Sequence, residues 1–160
     1  MKEIKIESTL TVFDDFNELP KNIASLMEQA MEARLNAYAP YSQFLVGAAI
    51  ALENGEVVTG SNQENASYPS GLCAERTAIY YAGAKYPGVA MKTMAIVAGS
   101  LKNKTTEPIP PCGACRQAIA EYEVKQEDSI ELYFMGETGK VVKSNSLANL
   151  LPLVFDKSVL

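Results

Sequence analysis

The sequence predicts an α/β fold, with one mixed sheet sandwiched between helices. Short strand-like apolar runs alternate with stretches of helical periodicity, and turn formers separate them at short intervals. No repeat, low-complexity tract or linker divides the 160 residues, so 1–160 reads as one domain. Taken in order, "IKIESTLTVF" reads as a strand suited to a sheet edge or an interface, with no role assigned to it. Pro20 suits the first turn of a helix in which Ile23, Leu26, Met27, Ala30, Leu35 and Tyr38 recur near helical spacing. "FLVGAAIALE" and "EVVTGSN" are strands hinged at Asn54-Gly55, a strong hairpin signal. The segment from Cys73 reads as a helix to about Gly83, and Thr93–Gly99 as a short buried strand. "CGACRQAIAEY" is a second cysteine-bearing helix, and "SIELYFM" and "KVVKS" form a hairpin across "GETG". A short helix over Leu147 to Leu151 is stopped by Pro152.

Composition narrows the function classes. The net charge of −5 opposes a polyanion, so no nucleic acid is expected as partner, whereas a small uncharged ligand is not disfavoured. The longest apolar run, Phe44 to Leu52, is too short to span a bilayer, and "MKEIKIES" lacks the apolar stretch of a secretory signal. No membrane partner and a cytoplasmic location are therefore expected. The chain has three cysteines and no histidine. An odd count excludes a complete disulfide framework, and the missing imidazole eliminates Ser-His-Asp and Cys-His catalysis. Any metal site must then be built from thiolates and carboxylates.

Cys73 opens "CAERTAI", and Cys112 and Cys115 sit in "PPCGACRQ", each at a helix start preceded by turn formers. Exposed amides and the positive helix end favour thiolate over thiol there. Zinc suits such ligands, and three of them leave its fourth position open, as catalytic sites do and closed structural sites do not. Each feature also has a plainer reading. A C-x-x-C pair alone could be a redox dithiol or two small buried apolar residues. Glu75 alone could be a first-turn acid complementing the helix dipole. Arg76 and Arg116 alone would be solvated helix residues, and Asn62 and Glu64 loop residues. The combination of C-A-E with P-C-x-x-C is what favours a metal centre.

That combination resembles the zinc-dependent nucleobase deaminases, which carry a ligand-x-Glu motif followed by P-C-x-x-C. With Cys73 rather than histidine as first ligand, and with "YSQFLVGAA", "NQENASY", "CAERTAI" and "PCGACRQ" in order, the chain resembles the short-subunit, three-cysteine cytidine deaminases over roughly residues 20 to 155. The resemblance implies a three-layer α/β/α sandwich around a mixed five-stranded sheet with an antiparallel C-terminal hairpin. It also implies a homotetramer with shared active sites. Residues 1–19 lie ahead of the family's usual start, and the chain ends five residues after Phe155.

By resemblance, one Zn2+ per chain is held by Cys73, Cys112 and Cys115, and Glu75 moves protons between water, ring nitrogen 3 and the departing amine. The products would be uridine or 2'-deoxyuridine and ammonia, a step of pyrimidine salvage. Arg76 would draw charge from the three thiolates, which otherwise leave the centre formally −1. Asn62 and Glu64 would hold the ribose hydroxyls, Phe44 would pack on the base, and the Ala74 amide would meet the pyrimidine carbonyl. Ala66 and Tyr68 match positions that reach a neighbouring subunit's site, and Phe155 matches one that closes it. A blasticidin S deaminase shares the cysteines and glutamate but lacks the "NQENASY" sugar pattern. A structural zinc module would need neither Glu75 nor an open position, and a polynucleotide editor is opposed by the acidity of the chain.

Overall fold

A computed structural model describes residues 1–126 and 128–160. Its strands are β1 (Thr11–Phe13), β2 (Phe44–Leu52), β3 (Val57–Ser61), β4 (Met91–Ser100), β5 (Glu131–Met135) and β6 (Val141–Ser144). They form one sheet in the order β1-β6-β5-β4-β2-β3. The expected count of five is therefore corrected to six. The additional strand is β1, contributed by the N-terminal extension and paired antiparallel with β6 at the sheet edge. Only three residues of the predicted "IKIESTLTVF" strand join the ladder, because β6 ends at Ser144 and offers nothing further to pair with. The hairpins β2–β3 and β5–β6 are antiparallel, while β4 and β5 are parallel, as a crossover helix between them requires.

Helix α1 (Lys21–Arg34) covers one face; α2 (Ala74–Lys85) and α3 (Gly113–Lys125) cover the other. Ile23, Leu26, Met27 and Ala30 recur at helical spacing and are buried against Ala49, Ala95, Val97, Tyr133 and Met135. Pro20 is the N-cap of α1 rather than a residue of its first turn. The expected continuation to Leu35 and Tyr38 does not occur, and both side chains are exposed. The backbone of Tyr38 bonds instead to the loop after β3, donating to the Asn62 carbonyl (2.9 Å) and accepting from the Glu64 amide (2.8 Å). On the opposite face Ala78, Ile79, Ala82 and Ile119 pack on Ile50, Met94, Ile96, Leu132 and Phe134. The predicted helix at Leu147 is a single 3-10 turn, Leu147–Asn149.

Two glycines bring helix backbones directly onto strands. A Cβ at Gly47 would stand 2.0 Å from the Ala30 carbonyl oxygen of α1. One at Gly60 would stand 2.6 Å from the Ala78 amide and 2.8 Å from the Ala74 carbonyl oxygen. The first turns of α2 thus rest on bare β3 backbone, which fixes the height at which Cys73 and Glu75 sit above the sheet.

Candidate active site

Cys73 is the N-cap of α2 and Cys112 the N-cap of α3, with Cys115 in the first turn of α3. Neither cap uses its side chain to satisfy the helix, so both sulfurs are available to another partner. The Sγ atoms of Cys73 and Cys112 are 3.8 Å apart, those of Cys112 and Cys115 3.4 Å, and all three lie within 4.8 Å of one another. Sulfurs about 2.3 Å from a tetrahedral zinc stand about 3.8 Å apart, so the cluster has the dimensions of that ion's ligand set. Cys115 is buried, Cys73 half-buried and Cys112 exposed, which leaves one side of the cluster open.

Charge at the cluster is uneven. The Cys115 thiol and the Arg76 guanidinium converge on the Cys73 sulfur and hold its pKa down at about 5, although burial opposes them. Cys115 is shifted upward by its bond to Cys73 and by burial. Arg76 Nη2 lies 3.8 Å from Cys73 Sγ, so the residue points at the sulfurs and is not a solvated helix residue. Its Nε is buried without a partner among the described residues, a further positive dipole held beside the cluster. An ionised sulfur, two more thiols and no imidazole make a donor set that favours a thiophilic dication.

Glu75 follows on the same turn. It is only 4% exposed, and burial pushes its carboxyl above the usual range. A buried carboxyl beside three sulfurs is an expensive placement for a dipole-complementing acid, and it suits a group that must both hold and release a proton. Glu75, Cys73 and Cys112 line one cleft of about 760 Å³ together with Phe44, Asn62, Glu64 and Tyr68. Its floor is β2 and β4 (Val46, Ile96, Ala98), and Ile109 and Pro110 contribute to its wall next to Cys112.

The other polar groups of the site are held by backbone bonds. The Asn62 amide is held on both sides by the β2 backbone, donating to the Phe44 carbonyl (2.9 Å) and accepting from the Val46 amide (2.8 Å). One Nδ2 hydrogen remains for another acceptor. Glu64 Oε2 accepts from the Tyr41 (2.9 Å) and Ser42 (3.2 Å) amides, and the Ser42 hydroxyl, with these amides, keeps the carboxylate below its usual pKa. Oε1 is not engaged by those amides, so an ionised acceptor stays available. Tyr68 meets Tyr41 edge to face at 6.1 Å on the rim. Ala74 is buried at the first position of α2, where its amide has no intrahelical partner.

Three candidates lie away from this cleft or on its far side. Ala66 is exposed outside the lining, and Arg76 approaches the sulfurs from behind, in the groove between α2 and α3. Phe155 stands outside the cleft of its own chain and is 62% exposed, two residues after Leu153 in the left-handed region (φ 60). Two residues with structural duties were not legible in the sequence. Arg116 donates to the Pro111 carbonyl (2.8 Å) and the Leu150 carbonyl (2.8 Å), and Gln117 donates to the Phe155 carbonyl (2.8 Å). These bonds tie the loop before Cys112 and the C-terminal tail to α3; only their adjacency to Cys115 in "CRQ" hinted at such a task.

Comparisons with known proteins agree with this geometry. Residues 20–127 match the family described as "Cytidine and deoxycytidylate deaminase zinc-binding region". A cytidine deaminase of Sporosarcina psychrophila is 39% identical over 137 residues, 85% of this chain and 93% of that protein. One from Halalkalibacterium halodurans is 48% identical over 98 residues, 60% and 68% of the two chains. Among solved structures, a cytidine deaminase from Burkholderia pseudomallei superposes with a TM-score of 0.72 at 40% identity, covering 86% of this chain and 100% of that one. The cytidine deaminase of Mycobacterium tuberculosis gives 0.65 at 31% identity, over 85% and 98%. The zinc-binding match and the three-sulfur cluster together identify one zinc site per chain.

Proposed function

Because the chain belongs to the cytidine and deoxycytidylate deaminase family, we propose that it hydrolyses cytidine and 2'-deoxycytidine to uridine and 2'-deoxyuridine with release of ammonia. The observation that carries this reading is the shared cleft, lined by a buried carboxyl and two sulfurs of the open cluster together with Phe44 and the fixed polar groups of Asn62 and Glu64. A structural zinc module would need neither the cleft nor a carboxyl buried beside the metal ligands.

Cys73, Cys112 and Cys115 would hold zinc, which supplies a Lewis acid able to bring the pKa of a water molecule near neutrality. Glu75 takes a proton from the attacking water and delivers it to ring nitrogen 3. It then takes the second proton of that water, now on the hydroxyl at carbon 4, and passes it to the amine leaving the same carbon, so that one water is consumed and one ammonia released. Arg76, with the amides of both helix starts, draws charge from the thiolates. The Ala74 amide serves the carbonyl at ring position 2, and Phe44 packs on the base. Asn62 and Glu64 hold the ribose hydroxyls; the fixed Asn62 rotamer and the ionised Glu64 suit hydroxyl donors and disfavour a phosphate. Such a reaction would serve pyrimidine salvage in the cytoplasm, with 1–160 acting as one domain.

The direct test follows the ultraviolet absorbance of cytidine with purified protein before and after chelation. Absorbance loss with one zinc per chain, abolished by the chelator and restored by zinc, is the expected result. Free cytosine should turn over far more slowly, because it forgoes the sugar contacts that orient the ring. Equal rates on cytosine and cytidine would overturn the roles of Asn62 and Glu64.

The exposed Phe155, tied by its backbone to α3, and the exposed Ala66 and Tyr68 support a homotetramer in which each cleft is closed by a neighbour. A chain lacking residues 155–160 should then keep its zinc and show a raised Michaelis constant. Mixing it with a Glu75→Ala chain that carries an intact tail should recover activity. No recovery despite demonstrated subunit exchange would make Phe155 a local surface residue.

A further inference from the structure

Residues 1–10 lie outside the family match, which begins at residue 20, and all are exposed. Among the described residues, the hydrogen bond from the Thr9 amide to Asn149 Oδ1 (3.4 Å) is what ties them to the body. They lead into β1, which pairs with β6 on one side and has no described strand on the other. The chain therefore presents an unpaired edge carrying an alternating sequence. Ile4 (87% exposed), Ile6 (49%), Leu10 (42%) and Val12 (54%) occupy one parity, and Glu3, Lys5, Glu7 and Thr9 the other. Val12 lies opposite Val142, which packs on the core beneath α2 and α3; Phe13 stacks on Tyr133 of the α1 face. The exposed apolar parity thus continues an apolar face of the sheet.

We propose that this edge is filled by the same segment of a second copy, residues 3–13 pairing antiparallel about a two-fold axis at Ser8. Side-chain complementarity selects the register. With Ser8 opposite Ser8 of the partner subunit, Ile4 faces the partner's Val12 and Ile6 faces the partner's Leu10. Each of these apolar pairs occurs twice. Lys5 faces the partner's Thr11, Glu7 the partner's Thr9 and Glu3 the partner's Phe13, and no like charges are opposed. Shifting the axis to Glu7 opposes two glutamates, and shifting it to Lys5 opposes two lysines. An axis at Ile6 sets Ile4 against serine and Leu10 against lysine. Axes between residues lose both apolar pairs: between Glu7 and Ser8, Glu3 opposes Val12 and Lys5 opposes Leu10; between Ser8 and Thr9, Lys5 opposes Val12 and Glu7 opposes Leu10. The free edge of β1 would receive residues 3–5 of the partner, so two six-stranded sheets join into one and the free edge of each β1 is covered.

The test uses the zinc-loaded full chain. Opposed residues of an antiparallel pair have Cα atoms about 4.5–5.5 Å apart, within disulfide range. A Ser8→Cys chain should therefore form a reducible covalent dimer under mild oxidation. Ile6→Cys should do so at least about tenfold more slowly, because the two copies of residue 6 stand roughly 14 Å apart in this register. Adding Ile6→Asp to Ser8→Cys should slow cross-linking by about tenfold, since it places a carboxylate in both apolar pairs. Alternate amides of residues 3–13 should resist hydrogen exchange in the unmodified protein. Faster cross-linking through Ile6→Cys would overturn the register. Cross-linking of Ser8→Cys no faster than at an exposed loop cysteine, with amides 3–10 exchanging as in an open chain, would overturn the pairing and leave the edge for a foreign strand.

Discussion

Glu75→Ala keeps its full complement of zinc and loses cytidine deamination by about 10²–10⁴-fold, the range expected for removing a positioned proton-transfer group. The upper end is expected, because the proposed mechanism gives one carboxyl all the proton transfers, and the chain contains no histidine to take over any of them. Metal is retained because the three sulfurs come from elsewhere and their spacing does not depend on the carboxyl. Stability gives a second readout. A carboxyl that is 4% exposed in the free cleft is held against its own desolvation, so Glu75→Gln should melt at the wild-type temperature or slightly above while remaining inactive. Turnover at the wild-type rate in either variant would sink the assignment of Glu75. Loss of zinc in both would recast it as a support for the cluster.

Cys112→Ala abolishes stoichiometric zinc and lowers the melting temperature together with activity. The thiol of Cys112 is exposed, so its removal costs little packing and the stability change reports the metal alone. At free zinc about 1,000-fold above its dissociation constant the ion contributes about 4 kcal/mol, which for a chain of this size corresponds to roughly 8–16 °C. Treating the wild type with a chelator should bring it to the melting temperature of Cys112→Ala, and the variant itself should not respond. Cys115→Ala should fall further than either, since that side chain is fully buried in α3 and leaves a void as well as a lost ligand. Calorimetric scans with metal analysis of each sample decide this. A variant that keeps one zinc per chain would show that the cluster is not the metal site.

Much of the site was legible in the sequence because its chemistry is local. C-A-E and P-C-x-x-C each fall within one helical turn, so residue type and spacing alone placed the sulfurs and the carboxyl at two helix starts. The hairpin at Asn54-Gly55 and the strand–helix alternation were equally local, set by turn chemistry and apolar period. What the chain order could not supply was convergence. Cys73 and Cys112 are 39 residues apart, and their approach to 3.8 Å depends on α2 lying against β3 at Gly60 while α3 crosses between parallel β4 and β5. Nor could it show that Asn62 is clamped by β2, that Arg116 and Gln117 grip the tail, or that the strand read in the N-terminal extension pairs with β6 over three residues alone. Periodicity overran at Leu35 and Tyr38 because helix propensity there yielded to backbone bonds with the loop after β3. The sequence by itself determined which groups are candidates for the chemistry, since residue type, motif spacing and turn geometry belong to residues and their near neighbours. Only the tertiary structure decided which groups meet, because that rests on packing between segments far apart in the chain, where the fit of one backbone against another sets the distance.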